Sequence, residues 1–112
     1  MLQSMTAVLE QNARLDAGEF TTEPYEVAWA SEARWFIYIE DRDPGLTADV
    51  VVEVSPEGIT WCALPGIPAS TLGNDELTTV SCRDFGGWLR LRLNVRGEGS
   101  FKGVRIYLAL KG

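Results

Sequence analysis

The sequence predicts an all-β protein, one domain folded as an antiparallel β-sandwich or jelly roll. Three observations lead to this prediction. Apolar and polar residues alternate with a period of two in several segments, the pattern of strands that bury one face. Residues typical of tight turns lie between these segments, and no segment after residue 20 has the period of a helix. The length of 112 residues is that of a single domain.

The clearest alternation lies at the end of the chain. From Trp88 to Arg96, leucine and valine alternate with arginine and asparagine. The segment Gly97–Ser100 has the composition of a turn, and the alternation resumes from Val104 to Leu110. We therefore expect a β-hairpin with one face toward the core and one face more exposed to solvent.

The middle of the chain carries further strands. Residues 34–40 are apolar on both faces, which favours a central strand. The tetrapeptide Ser55-Pro56-Glu57-Gly58 predicts a turn, since proline suits its second position and glycine admits a positive φ. Strands are expected on both sides of this turn, over 49–54 and 59–63. Weaker strand signals cover 26–30 and 77–81.

The first 17 residues admit three interpretations. Leu2, Met5, Val8 and Leu9 fit a helical stripe, whereas Thr6–Leu9 alternates as an edge strand would. The strand interpretation is slightly favoured. The segment is also placed to serve as an arm that reaches a neighbouring subunit. The domain organisation predicted is therefore an arm or edge strand over 1–17 and a β-sandwich over 18–112.

The longest irregular stretch runs from Leu64 to Glu76, and loops of this length in compact domains tend to be functional. Its apolar residues Leu64, Ile67 and Leu72 either pin the loop to the core or form a contact surface for a partner protein. Met5 and Leu9 in the first segment are candidates for the same kind of contact.

Charge is distributed unevenly along the chain. The net charge is −6, which argues against nucleic acid and anionic membranes as partners because both attract clustered bases. Residues 1–60 hold 12 acids and 3 bases, and residues 61–112 hold 4 acids and 7 bases. Either acids and bases pair across strands within one sandwich, or two faces of opposite sign dock between identical copies.

The first residues resemble no signal peptide, and no apolar run is long enough for a membrane helix. We therefore expect a protein that stays in the cytoplasm or leaves it as part of an assembly. The two cysteines, Cys62 and Cys82, are too few for a disulfide framework. They are expected to be reduced and mostly buried.

The residues needed for common enzyme chemistry are missing. The chain has no histidine, the commonest general base and metal ligand, and no phosphate-binding glycine loop. Asp41, Asp43 and Asp49 form a weak candidate calcium site, but their spacing does not match an EF-hand and Arg42 lies among them. A solvated acidic turn is the alternative. We expect no enzyme activity, no catalytic residues, no cofactor and no resident metal.

Four tryptophans raise the possibility of sugar binding, because exposed aromatic rings stack on sugars. Trp35 and Trp61 lie in phase with apolar neighbours and are expected in the core. Trp88 is out of phase with the leucines that follow it. Trp88 and Tyr107 are the candidates for an exposed aromatic surface that binds sugars, to which Tyr38 could also belong.

The segment from Val52 to Trp61, with its Ser-Pro-Glu-Gly-Ile-Thr-Trp core, resembles a signature of small β-sandwich virion proteins of tailed bacteriophages. The arginine-rich strand from Trp88, the glycine turn at Gly97 and the strand Phe101–Leu110 resemble their C-terminal signature, and the opening Leu9–Arg14 followed by Gly18 is also similar. This resemblance implies a non-enzymatic virion subunit, such as a capsid decoration protein or a head or tail accessory protein. It also implies symmetric copies, a major capsid or other virion protein as partner, and location in the virion after assembly in the host cytoplasm.

Three hypotheses follow from the sequence. The favoured one is a structural subunit of a tailed-phage virion that acts as an oligomer. A carbohydrate-binding or adhesion module is the second, and a cellular β-sandwich adaptor is the third.

Overall fold

The computed structural model describes residues 3–112, so Met1 and Leu2 lie outside it. Every regular element in these residues is a β-strand, which confirms the predicted fold class. The strands are β1 (Ser4–Thr21), β2 (Tyr25–Glu26), β3 (Glu32–Tyr38), β4 (Asp41–Arg42), β5 (Thr47–Ser55), β6 (Cys62–Ala63), β7 (Ser70–Leu72), β8 (Leu77–Arg83) and β9 (Trp88–Lys111). Residues 3–112 contain no helix that could span a membrane.

A long two-stranded ribbon of β1 and β9 organises the fold. The strands run antiparallel, from the Ser4–Lys111 pair at one end of the register to Thr21–Arg92 at the other. A straight strand of 24 residues would span about 80 Å, whereas the longest extent of the molecule is 44 Å. The ribbon is therefore bent. Residues 27–31 bridge the two ends of β9, through Val27 N–H to the Gly87 carbonyl at 2.7 Å and Ser31 N–H to the Lys111 carbonyl at 2.8 Å.

Each half of the bent ribbon is extended by other strands into a half-sheet. The first half of β9 pairs with β5, which in turn pairs with β6 and β7; we call this the β5 half-sheet. The second half of β9 pairs with β3, which pairs with β8; this is the β3 half-sheet. Since β3 has a partner on each side, the prediction that it is a central strand is confirmed.

The core lies between the two half-sheets. Alternate residues of each strand contribute to it, as the period-two pattern predicts. Trp35, Ile37 and Phe101 are among the largest side chains that are fully buried. The other large, fully buried side chains are aliphatic: Val27, Val50, Leu72, Leu89, Leu91, Leu93, Ile106, Leu108 and Leu110.

The predicted C-terminal hairpin is wrong. Residues 88–96 and 104–110 do not pair with each other, because β9 is one strand that bends through the expected turn. Gly97, Gly99 and Gly103 have positive φ angles of 114°, 96° and 61°. These glycines bend the backbone without closing it into a turn, so the core-facing positions change from odd to even numbers across the bend.

The N-terminal segment is a strand from Ser4 onward. Residues 4–16 pair with β9 of the same chain, with several register shifts, and the strand continues through residue 17 to Thr21. The helical interpretation is therefore wrong for the described residues, and Leu2 lies outside them. The division of the chain at residue 17 stays a prediction.

The turn predicted at Ser55-Pro56-Glu57-Gly58 is present, but the strand after it is much shorter than expected. Only Cys62–Ala63 of the predicted 59–63 pairs with β5. Of the weakly predicted strand 26–30, only Glu26 lies in a strand, β2 (Tyr25–Glu26), so the rest of that prediction is wrong. The signal at 77–81 corresponds to β8, so that strand is confirmed.

Acids from the first half of the sequence pair with bases from the second half. Glu53 accepts hydrogen bonds from the Nε atoms of Arg90 and Arg92, at 2.8 and 3.1 Å. Asp49 pairs with both terminal nitrogens of Arg96, at 2.6 and 3.1 Å. The uneven distribution of charge therefore reflects, at least in part, cross-strand pairing within one sandwich.

Candidate interaction surface

The outward-facing side of the β3 half-sheet carries the most distinctive surface of the molecule. We call it the open face, and define it by the outward-facing residues within the segments 4–8, β3, β8 and 105–111. Its central row follows from the strand register, in which Val8 lies beside Tyr107, Tyr107 beside Phe36 and Phe36 beside Thr79. The exposed fraction of Val8 is 47%. Apolar side chains therefore lie at the centre of a solvent-facing sheet.

Two tyrosines and an arginine form the next part of this face. The rings of Tyr38 and Tyr107 meet edge to face, with centroids 6.0 Å apart. The guanidinium of Arg105 lies 4.7 Å from the centroid of Tyr38, a distance typical of a cation–π contact. Leu77, next to Tyr38 in the register, is 43% exposed. The aromatic rings are thus held in place by contacts within the chain.

The two ends of the open face carry opposite charge. Arg34 and Lys111 lie toward one end, beside the ion pair of Arg83 with Glu32 at 2.6 Å. Beyond Tyr38, the other end carries the exposed acids Glu40 and Glu76 together with the exposed base Arg105, so that acids outnumber bases there by two to one. Within residues 3–112, neither Arg34 nor Lys111 lies within 4.0 Å of a carboxylate, and neither Glu40 nor Glu76 lies within that distance of a base.

Each end of the open face contains a recess. The recess of about 710 Å³ at the basic end extends to the loop after β6, and Arg34, Phe36 and Lys111 are among its lining residues. The second, of about 620 Å³, lies at the acidic end, where Tyr38, Glu40, Glu76 and Arg105 contribute to its lining. The open face is therefore recessed at both ends rather than flat.

A second cluster lies on the outer side of the β5 half-sheet. The guanidinium of Arg90 lies 4.4 Å from the ring centroid of Trp61 while its Nε binds Glu53. Glu53 is only 7% exposed. Burial of a carboxylate between two arginines is tolerated because each of its oxygens receives a charge-assisted hydrogen bond.

The turn after β5 is held by the side chain of Glu57. Its Oε1 accepts hydrogen bonds from the backbone N–H groups of Ile59 and Thr60, at 3.1 and 2.5 Å. The pKa of Glu57 lies below its ordinary value of 4.5. The bond from Thr60 contributes most to this shift, and the bonds from Ile59 and from the hydroxyl of Ser55 add to it. Ile59 remains 80% exposed at the tip of this turn.

Gly58 brings this turn against a tryptophan. Its φ is +84°, and a Cβ at this position would lie 3.2 Å from the ring of Trp88. One side of Trp88 is therefore covered by the turn, and the residue is half-buried rather than exposed.

The predicted partner contacts have mixed positions. Leu72 is fully buried, and Leu64 and Leu9 are 8% and 9% exposed. Their burial in the core corrects the prediction that they form a contact surface, and it supports the alternative that the loop from Leu64 to Glu76 is pinned. Ile67 packs partly against the core. Met5 is 40% exposed, and its role as a partner contact stays a prediction.

The weak metal candidates are engaged elsewhere. Asp49 pairs with Arg96, and Asp43 Oδ2 accepts the backbone N–H of Ser100 at 2.8 Å. Asp41 binds the backbone N–H of Arg42 at 2.9 Å. Within residues 3–112, no three His, Cys, Asp or Glu side chains are grouped so that they could hold a metal ion.

The structure does not assemble the predicted aromatic surface. Trp88 and Tyr107 lie in different half-sheets, at opposite sides of the bend in β9. Tyr107 and Tyr38 are neighbours, but Arg105 lies over the Tyr38 ring. Of the two tryptophans expected in the core, Trp35 is fully buried. Trp61 is not: it lies half-buried on the outer side, over Arg90, because the turn held by Glu57 continues through residue 60.

The two cysteines differ in environment. Both are free thiols, and Cys82 is buried as expected whereas Cys62 is exposed on the edge strand β6. Burial raises the pKa of Cys82 to about 12, so this thiol stays protonated and unreactive at neutral pH. The prediction that both thiols are mostly buried is wrong for Cys62, which lies outside the core because β6 has so few residues.

Sequence reasoning missed the open face as a unit. The alternation did show Phe36 and Tyr38 on one side of a strand and Arg105 and Tyr107 on one side of another. We interpreted the first pair only as a sign of a central strand. The signal was the shared aromatic character of these outward positions, but the pairing of β3 with β9 was needed to bring them together.

Comparison with known proteins identifies a fold. No family model and no curated protein matches the sequence. Among solved structures, the chain is similar to the PBSX exported protein XepA, with a TM-score of 0.70 and 16% identity over 95% of this chain and 36% of that one. VP2 of infectious bursal disease virus, in a subviral particle, gives 0.65 and 13% over 98% of this chain and 32% of that one.

A third similar structure is that of Bacillus endospore appendages, which form disulfide-linked pili, with a TM-score of 0.62 and 10% identity over 98% of this chain and 86% of that one. The chain thus spans about a third of XepA and of VP2. At these identities the similarity shows a shared β fold, found in an exported protein, a viral particle and pili.

Proposed function

We propose that this chain is a non-enzymatic structural subunit of a bacteriophage particle, which acts in multiple copies bound to one another and to a capsid or other virion protein. The observation that carries the proposal is the fold, which matches VP2 in a subviral particle over nearly the whole of this chain. The resemblance of the turn and C-terminal strands to small tailed-phage virion proteins points the same way.

The architecture of the fold suits such a role. The two half-sheets share the continuous strands β1 and β9, which tie the two halves together. A subunit that stabilises a particle needs a rigid body and repeated weak contacts, whose strength is multiplied by the number of copies. Such a role needs no catalytic side chains.

Among virion components, we propose a capsid decoration protein. The longest extent of the molecule is 44 Å. Small size suits a protein added to the outside of an assembled shell. A head or tail accessory protein is the other form of this proposal.

The proposal is tested on particles from the organism that carries the gene. Particles are purified by density gradient and probed with an antibody raised against the chain. We expect the chain in the particle fraction at a constant ratio to the major capsid protein, and we expect particles that lack the gene to release DNA at a lower temperature. A chain that remains wholly in the soluble fraction, while particles are abundant, contradicts the proposal.

A cheaper observation is the position of the gene. Neighbouring genes for capsid, portal or tail proteins are expected. A location among genes of sugar metabolism would instead support the carbohydrate-binding hypothesis, although no aromatic platform of the expected residues is formed.

A further inference from the structure

We propose that the open face is a two-fold symmetric dimer interface, on which the open face of a second copy docks in antiparallel orientation. This inference rests on the proposed function, since it names the surface through which one copy binds another. Its occupant is a second copy of this chain because the open face is complementary to itself.

The complementarity comes from the charges at the two ends. Arg34 and Lys111 at one end, and Glu40 and Glu76 at the other, have no ion-pair partner within residues 3–112. Along β3, Arg34 lies about 14 Å from the end of the strand at Tyr38, and Glu40 follows two residues later, so the separation exceeds the Debye length of about 8 Å. The two ends therefore interact little within one copy.

Rotation of a second copy by 180° places its acidic end on the basic end of the first. The same rotation places the basic end of the second copy on the acidic end of the first, so the dimer contains two sets of complementary contacts. This is the arrangement of an isologous interface, in which one surface is used twice. The two-fold axis runs along the central row, across the strands. Val8 and Tyr107 of one copy therefore meet the same residues of the other copy.

The size of the face indicates a weak dimer. Four strands about 4.8 Å apart and seven residues of about 3.4 Å each give a face of roughly 450 Å². Two such faces bury about 900 Å², below the 1,200 Å² at which stable interfaces begin. We therefore expect dissociation constants in the micromolar range or weaker, suited to a subunit whose contacts add up over many copies.

Other occupants of the face fit less well. A single-stranded nucleic acid needs a basic groove along the whole face, whereas Glu40 and Glu76 occupy one end of it. A sugar ring needs an uncovered aromatic surface, whereas Arg105 lies over Tyr38 at 4.7 Å. Both remain outcomes of the experiment below.

The experiment is a charge exchange followed by sedimentation equilibrium of the full chain, from micromolar to millimolar concentration. The basic-end variant carries Arg34→Glu and Lys111→Glu. The acidic-end variant carries Glu40→Lys and Glu76→Lys. Each variant alone brings like charges together at both ends of the dimer, and we expect its dimerisation to weaken tenfold or more.

Complementarity is restored in two ways. An equimolar mixture of the two variants is expected to form heterodimers with an affinity close to that of the wild-type dimer. The quadruple variant carries all four substitutions in one chain and keeps the net charge of −6. It is expected to dimerise as the wild-type does. A matched control for the acidic-end variant, Glu19→Lys with Glu23→Lys, makes the same change of charge at two exposed residues away from the open face, Glu19 near the end of β1 and Glu23 in the loop after it, and is expected to leave dimerisation unchanged. Circular dichroism of each variant establishes that it is folded.

Three results would overturn the inference: a wild-type monomer at every concentration, a dimer that both end variants leave intact, or a mixture that fails to recover. Binding of a labelled single-stranded oligonucleotide or a sugar, abolished by the basic-end exchange, would also overturn it. A wild-type monomer that is nevertheless found in purified particles would refute the dimer and leave standing the proposed role as a subunit bound to a capsid or other virion protein.

Discussion

At the scale of single residues, the most consequential polar side chain is Glu53. It is 7% exposed and is the shared acceptor for two arginines that lie on the same strand. Each arginine is itself mostly buried, at 21% and 28% exposure of the side chain. Loss of the carboxylate would leave two like charges close together with little water to screen them.

We expect Glu53→Gln to lower the free energy of unfolding by about 2 kcal/mol, somewhat less than for a fully buried pair because the arginines retain some contact with water. The matched control is Asp49→Asn, which removes the acid from an ion pair whose arginine is 60% exposed and should cost less than about 1 kcal/mol. Urea unfolding followed by tryptophan fluorescence measures both. Equal costs for the two variants would contradict this account.

Glu57 makes stability depend on pH. Since the pKa of Glu57 in the folded protein lies below its ordinary value of 4.5, the carboxylate stabilises the fold fully above that value and loses its effect as the pH falls through the lower pKa. We expect Glu57→Gln to be less stable than wild-type at neutral pH, with the difference shrinking as the medium is acidified below pH 4.5.

The measurement for Glu57 is the urea midpoint at a series of pH values. Glu23→Gln is the control, because it makes the same substitution at a residue that is exposed in a loop. A difference between wild-type and Glu57→Gln that stays constant from neutral to acid pH would show that the bonds to Ile59 and Thr60 have no part in the effect.

At the scale of elements, β9 shows how far local pattern predicts structure. Alternation identified correctly the core-facing residues on both sides of the bend, including Leu91 and Ile106. It did not identify the neighbouring strands, because a hairpin and a bent strand produce the same local pattern. The change from odd to even core positions across Gly97–Gly103 is compatible with either. Only the long-range pairing with β3 and β5 decides between them, and the sequence near the bend carries no information about that.

The open face illustrates the same limit. The outward positions of β3 and of residues 105–111 could be assigned from the sequence, yet their aromatic residues come together only through the pairing of Phe36 with Tyr107. The position of Trp61 was wrong for a different reason. The carboxylate of Glu57 binds the backbone of Ile59 and Thr60, and this competes with the strand that their side chains favour.

The bend of β9 depends on Gly99. Its φ is +96°, and a Cβ there would collide with the carboxylate of Asp43, which binds Ser100 N–H at 2.8 Å. We expect Gly99→Ala to destabilise the protein by about 2 kcal/mol or more, from backbone strain together with loss of this contact. Gly45→Ala separates the two causes, since Gly45 has a φ of +80° with no atom near the new Cβ, and it should cost about 1 kcal/mol. Thermal unfolding of both variants provides the comparison, and equal costs would exclude a role for Asp43.

At the scale of the whole molecule, the two half-sheets depend on a shared ribbon. The first and last strands of the chain are neighbours, with Ser4 opposite Lys111. The β3 half-sheet therefore completes its pairing with β1 only after residues more than a hundred positions apart have met. Proteins dominated by such distant pairing fold slowly.

Deletion of residues 1–16 should consequently abolish the native fold rather than remove a dispensable arm. It exposes the edge of the second half of β9 and removes Ala7, Leu9 and Leu15 from the core. We expect loss of cooperative thermal unfolding and aggregation of the shortened chain. Deletion of residues 1–3 leaves β1 intact and serves as the control. A shortened chain that melts cooperatively near the wild-type temperature would show that residues 1–16 are indeed a separate arm.

The neighbouring positions of the two ends of the described chain have a mechanical consequence. Gly112 N–H donates to the Gln3 carbonyl at 2.8 Å, so that tension applied to these two residues pulls β1 away from β9 and breaks their hydrogen bonds one at a time. Tension applied between one end and the bend loads many of the same bonds together, in shear. The molecule is therefore mechanically weak along one direction and strong along another, and an assembly that must resist internal pressure would transmit load through its faces rather than through its ends.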